Sequence, residues 1–403
     1  MDTISRRRFL IASGVTGAGA LVAGATAVTV SQLNDSARSK PLAAGEPVLV
    51  VLTLYGGNDG LNTVVPYADS AYHDSRPELA YDPHEVLHLD DKLGLNPAMK
   101  GFGKLWQAKQ LAIVRGVGYP KPDHSHFRSM DIWQTASPAA PVNTGWIGRW
   151  LDATGVDPVR AVNLGSVLPP LAVGARSTAA ALSVGRAKRL PAQLSAALAG
   201  LGRDDPSDGA TDAMVCASYR SERTVAATFD PVLGAQPTSE QDGAGDSLKA
   251  QLDVVARCVK AGVPTKVYAV SLDGFDTHAG EKATQSSLLG ELDSALSAFL
   301  AEMASVPRGR GVSVLVYSEF GRRVAANASQ GTDHGTAGVV FVAGVPARGG
   351  FYGEQPSLTD LDDGDLKSNV DFRAVYGELV AKVLRSDPEQ VLDTVPPALG
   401  LIR

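Results

Sequence analysis

PVLVVLTLYGGNDG, residues Pro47 to Gly60, sets the architecture of everything around it. A near-continuous run of Val, Leu and Thr stops in Gly-Gly-Asn-Asp-Gly. A strand with one face in water alternates apolar and polar residues. A strand without alternation is buried on both faces, as in parallel sheets. Similar runs recur at LAIVRGVG from Leu111, KVYAVSL from Lys266, GVSVLVYS from Gly311 and GVVFVAG from Gly338. Between them lie segments of helical spacing. These start at Asn96, His124, Thr144, Ser247 and Ser286, with a last one at Asp371. Strands alternating with helices predict an α/β domain with a mostly parallel central sheet flanked by helices.

The chain has 403 residues, 44% hydrophobic and 20% charged, which is globular composition with ample core. A net charge of −6 gives no support for nucleic-acid binding. SRRRFLIASGVTGAGALVAGATAV, from Ser5, has a basic start and a weakly apolar, Gly/Ala-rich continuation. Arg6 and Arg7, followed by Arg8-Phe9-Leu10, match the twin-arginine export pattern. Residues 1–45 therefore read as signal and linker, with cleavage near Ala44 or retention both open. Residues 46–403 read as a single domain with a helical excursion at about 162–245. Localisation follows from the signal: periplasm, cell envelope or exterior, with membrane contact only through an uncleaved signal. Cys216 and Cys258 are too far apart in sequence to demand a disulfide.

In such sheets ligands bind beyond the carboxyl ends of the strands. The polar clusters fall there. Asp59 follows the first strand, in a turn sequence that by itself needs no other role. Asp276 and His278, two residues apart in DGFDTHAG, can face one side of an extended segment. Glu319 ends a later strand, beside Arg322 and Arg323 that could pair with it. Asp333 and His334 sit in a glycine-rich loop before the strand at Gly338. Mixed carboxylate and imidazole ligands suit a divalent ion, zinc or manganese, over magnesium or calcium. A second concentration, PDHSHFRSMDIW, opens a helix. Its free N–H groups attract anions, and Ser125 and Arg128 are placed to meet an anionic group; helix capping is the plainer role for the serine.

LYGGNDGLNTVVP, GVGYPKPDHSHFRSMDIWQT, TGWIGRWLD, DGFDTHAG, SEFGRR and TDHGTAGVVFVAG together resemble a family of twin-arginine-exported bacterial proteins of unknown function, from Val48 almost to the end. That family looks like a distant branch of the alkaline phosphatase and sulfatase superfamily. The resemblance implies a metal-assisted site for phosphate or sulfate esters. It implies Asp59, Asp276, His278, Glu319 and His334 as metal ligands and Ser125 as nucleophile, with an anionic small molecule or glycan as substrate. Where the superfamily has Asp-His at a later strand end, this chain has Glu319-Phe320. Phenylalanine cannot ligate, so one of two metal positions loses an imidazole, with Asp333 or His126 available to help. The first expectation is an exported hydrolase of anionic esters. The alternative is a non-catalytic relative that binds a metal, a glycan or a partner.

Overall fold

The computed structural model describes residues 41–155, 157–165, 168–182 and 247–403. The signal segment, Cys216 and most of the expected helical excursion lie outside them. Nine strands form the central sheet. In chain order they are β1 (Val48–Leu54), β2 (Leu111–Gly118), β3 (Ala161–Leu164), β4 (Ala180–Leu182), β5 (Val267–Leu272), β6 (Val312–Ser318), β9 (Gly338–Ala343), β10 (Gly350–Tyr352) and β11 (Val370–Asp371). The two omitted labels belong to a separate hairpin, β7 (Arg322–Ala326) with β8 (Thr332–His334). Across the sheet the order is β10-β2-β9-β6-β1-β5-β3-β4, with β11 also paired to β2. Within this sheet β9 alone runs antiparallel to its neighbours. The start of β9 therefore lies at the edge where the parallel strands end, and so does His334 just before it.

The helices are α1 (Gly60–Thr63), α2 (Ser70–Ser75), α3 (Lys100–Gln107), α4 (His126–Thr135), α5 (Trp146–Thr154), α6 (Leu248–Ala261), α7 (Glu281–Ser305) and α8 (Phe372–Lys382). The β1 run is buried along its whole length, and its residues divide between two cores. Val48, Val50, Leu52 and Leu54 pack with α3, α6 and α7. Leu49 and Val51 face the side of α4, α5 and α8. Each such side chain contributes about 1.5–3 kcal/mol on full burial, which is why the strand lacks alternation. Among the described residues no helix is long and apolar enough to cross a membrane. Cys258 is a buried free thiol in α6.

Two segments differ from the sequence expectation. The described start of the 162–245 excursion holds β3 and β4, which extend the central sheet, where helices were expected; residues 183–246 lie outside the description. The segment around Asp333 is also more than a loop. Thr332–His334 pairs with β7, and Arg322 stands opposite His334. Both departures arise from strands too short to show a period.

Candidate metal centre

The strand-end loops approach one another closely. Gly56 has φ +117°, and a Cβ there would lie 2.4 Å from the Asp276 backbone nitrogen. Gly57 has φ +73°, and its Cβ would enter the Phe320 ring at 2.1 Å. The pair is needed both for left-handed backbone and for space. Arg322, fully buried, joins these loops. It donates through Nε to Gly57 O (2.6 Å), through Nη1 to Thr332 O (2.9 Å), and through Nη2 to Phe275 O (2.9 Å) and Asp276 Oδ1 (2.8 Å). Nη2 also reaches Gly56 O.

Asp276 Oδ1 is the focus of three imidazoles. His278 Nε2 lies 3.0 Å away, His334 Nε2 3.3 Å and His126 Nε2 3.5 Å. His278 Nε2 and His334 Nε2 are 2.9 Å apart. Donor atoms of His126, Asp276 and His334 all fall within 4.8 Å of one another. Atoms bound about 2.0–2.2 Å from one zinc-like ion lie roughly 3–3.5 Å apart. The separations from Asp276 Oδ1, and that between His278 and His334, match that spacing, so the residues present fit a single divalent ion.

Proton positions strengthen the fit. His126 Nδ1 lies 2.8 Å from Glu319 Oε1, and His334 Nδ1 lies 2.7 Å from His124 O. Both oxygens only accept, so both Nδ1 atoms carry hydrogen. In the neutral rings Nε2 then bears a lone pair. His126 Nε2 is buried and has no hydrogen bond. Lone pairs facing a carboxylate repel unless a proton or a cation lies among them. A proton on His334 is disfavoured. Burial lowers its pKa below the ordinary value, and the Arg322 charge pushes the same way, against the hydrogen bond to His124 O. Asp276 stays ionised. Burial raises its carboxyl, but the hydrogen bond and charge of Arg322, with the neighbouring imidazoles, outweigh this and bring it to about 2. Imidazoles held through Nδ1 by carboxylate or carbonyl are the usual outer support of a metal site.

The structure brings Asp276, His278 and His334 together and adds His126 as a full member. A His-Ser-His start to a helix was the available signal for His126. Glu319 stands behind the cluster. It is almost fully buried and accepts from His126 Nδ1 and from Gly56 N (2.9 Å), so it orients a ring where a ligand was expected. Asp333 Oδ1 is exposed, 3.5 Å from His278 Nδ1, on the outer side of that ring. Phe320 packs its ring 4.9 Å from the rings of both His126 and His334 and walls the cluster.

Asp59 has a different place. It is buried against the buried Arg76, capping α1 through Leu61 N (3.1 Å), with Arg76 Nη2 at 3.1 Å and Nη1 closer still. Among the described residues no hydrogen bond or ion pair joins it to the histidines. Its lone pairs are taken by an arginine, so it is corrected from ligand to ion-pair member. Ser125 is the N-cap of α4, exposed, its hydroxyl accepting from Arg128 N at 3.5 Å. The Arg128 side chain pairs with Asp131 at 2.5 Å. Neither is held ready as nucleophile or anion clamp; both serve the first turn of the helix.

No curated protein matches the chain. Among solved structures, Ps i-CgsB in complex with k-i-k-neocarrahexaose shares 9% identity and a TM-score of 0.41, covering 87% of this chain and 75% of that one. A protein in the alkaline phosphatase superfamily from Vibrio parahaemolyticus shares 11% identity and a TM-score of 0.35, covering 79% and 64%. The lipoteichoic acid synthase LtaP from Listeria monocytogenes shares 10% identity and a TM-score of 0.35, covering 79% and 71%. None of these is close enough to transfer a residue or an activity. Residues 47–375 match the family described as protein of unknown function, DUF1501. With most of its length inside that match, the chain belongs to the DUF1501 family.

Proposed function

We propose that this is an exported metal-dependent hydrolase of anionic esters, phosphate or sulfate, built on one divalent ion held by His126, Asp276, His278 and His334. One observation carries the proposal: the Nε2 atoms of His126 and His334, each ring held through its Nδ1, converge on the Asp276 carboxylate. Zinc or manganese suits this mixture of nitrogen and oxygen donors. Such an ion supplies Lewis acidity and lowers the pKa of water at an open position. The residues do the rest. Glu319 and the His124 carbonyl fix two rings, and Arg322 keeps Asp276 anionic. Asp276 and His278 are almost half exposed, which leaves the outer side of the cluster open to substrate. Export by the twin-arginine route, which carries folded proteins, would deliver the site with its ion in place. Arg6→Lys with Arg7→Lys should then leave the chain in the cytoplasm; unchanged export would sink that part.

A non-catalytic, glycan-binding relative is the second reading, favoured by two observations. The arginines around the cluster are engaged: Arg322 and Arg76 as above, Arg128 with Asp131, and Arg323 with Asp365 at 3.4 Å. Phe127, next in sequence to His126, is 92% exposed and offers a flat apolar face. The deciding experiment is elemental analysis of natively exported protein, followed by turnover of aryl phosphate and aryl sulfate esters. One ion per chain with turnover supports the hydrolase. One ion without turnover supports the binding protein. No bound ion, and none taken up from zinc or manganese solutions, removes both.

A further inference from the structure

Behind the metal cluster lies a second group of charges that the proposed chemistry does not use. Glu281, fully buried, opens α7. Its Oε2 accepts from Thr332 Oγ1 at 2.5 Å, but its Oε1 has no donor to accept from. One turn further along α7, Gln285 Nε2 donates to Asp59 O at 2.8 Å, so this face of the helix lies on Asp59, and the group beside Glu281 is the Asp59 carboxylate, itself an acceptor. Two acceptors in contact need a hydrogen between them. We propose that Glu281 is a neutral carboxylic acid and a positioning residue: its Oε1–H donates to Asp59 while Oε2 holds Thr332, so one proton ties the hairpin carrying His334 to the end of β1.

The surroundings agree. Arg76 donates to Arg323 O and Val324 O, each at 2.7 Å, and so holds β7. Glu281 holds β8 through Thr332, and its backbone N–H meets Gln330 O at 2.9 Å. Both strands of the hairpin are thus anchored on Asp59, Arg76 and Glu281. The charged and titratable groups facing Glu281 are Asp59 after β1 and Arg76 after α2, with the Tyr72 hydroxyl beyond on Asn62 Oδ1 (2.7 Å). Lys282 turns away to Ala80 O (2.6 Å) and the Tyr81 ring. One ionised acid against one arginine leaves the group neutral; a second ionised acid would leave a buried net charge. Burial, then the Asp59 charge, raises Glu281 to about 9. Between its ordinary 4.5 and about 9, folding takes up a proton at Glu281, so stability falls as pH rises through that window.

The test uses chelator-treated full-length protein. Wild type should show a protonated-carboxyl infrared band at pH 7 that titrates away at alkaline pH and is missing in Glu281→Gln. The urea midpoint of wild type should fall, relative to Glu281→Gln, as pH rises from 5 to 9. No such band in wild type, or midpoints that run parallel, overturns the proposal. The wild-type titration decides even if the variant does not fold. A further arm rests on the metal reading: zinc affinity should drop about tenfold or more in Glu281→Ala and be restored in Glu281→Gln, whose amide donates and accepts in the same places. Loss in both variants would refute the positioning role. Wild type that binds no zinc but shows the band would sink the metal reading alone.

Discussion

Asp59 and Asp276 leave the same edge of the sheet from adjacent strands, β1 and β5, and end in opposite conditions. The Asp59 side chain is 0% exposed and faces a buried guanidinium; that of Asp276 is 48% exposed and faces three imidazoles. Both carry one arginine. Arg76 spans both oxygens of Asp59. Arg322 takes only Oδ1 of Asp276 and spends its other donors on backbone carbonyls. A carboxylate saturated by a guanidinium becomes a brace, and one left partly free among imidazoles can ligate. Strand-end position alone does not separate the two.

The largest effect should come from the inner pair. Arg76→Met leaves Asp59 buried and unpaired, and should cost about 3–5 kcal/mol in urea unfolding, since removing one partner strands the other charge. A loss below about 1 kcal/mol would mean that the pair is not the brace described here. Next is the outer cluster. Asp276→Asn or His334→Ala should lower zinc affinity by more than about a hundredfold, read by calorimetry, beyond the usual cost of losing an outer support. Asp59→Asn, where folded, should weaken zinc binding by no more than about tenfold, the cost of a lost outer support; a loss as large as that of Asp276→Asn would erase the distinction between the two carboxylates.

Glu319→Gln should weaken zinc binding by about 10–100-fold, because His126 loses the acceptor that sets its tautomer. An unchanged affinity would return Glu319 to a purely structural place. The pH dependence sharpens the same point. His334 is depressed, so its contribution to stability is present above its ordinary value of 6.5 and lost as pH falls through its lower folded value. Zinc competes with protons for that nitrogen, so affinity should decline with falling pH. The His334→Asn variant should lack the His334 part of the acid-side loss in metal-free unfolding. Ser125→Ala should be smallest, about 1 kcal/mol for a lost N-cap, with zinc content unchanged. If it abolishes ester turnover while zinc stays bound, the serine is a nucleophile after all.

Much of this was legible beforehand for a local reason. Long buried strands such as Val48–Leu54 and Val312–Ser318 carry their environment in their composition. Asp276, His278 and His334 stood out because a strand end that needs only turn chemistry takes glycine or aspartate and has no use for histidine. β3 and β4, with four and three residues, and the hairpin strand Thr332–His334 left no period to detect. His126 was legible only as a possible helper beside Asp333, since nothing local says which way the first residue of a helix points.

Residue order and composition were enough to specify the α/β class, the parallel sheet and the edge at which polar residues gather, because burial on two faces and helical spacing are properties of short segments. They did not assign roles within that edge. Arg76, seventeen residues beyond Asp59, reaches it only because α2 folds back over the end of β1. His126 reaches Asp276 across a separation of 150 residues only because α4 starts at the same edge as β5 ends. Which cation meets which carboxylate depends on distances of a few ångströms between distant segments. The chain's tertiary packing sets those distances, and with them the difference between a buried brace and an open ligand.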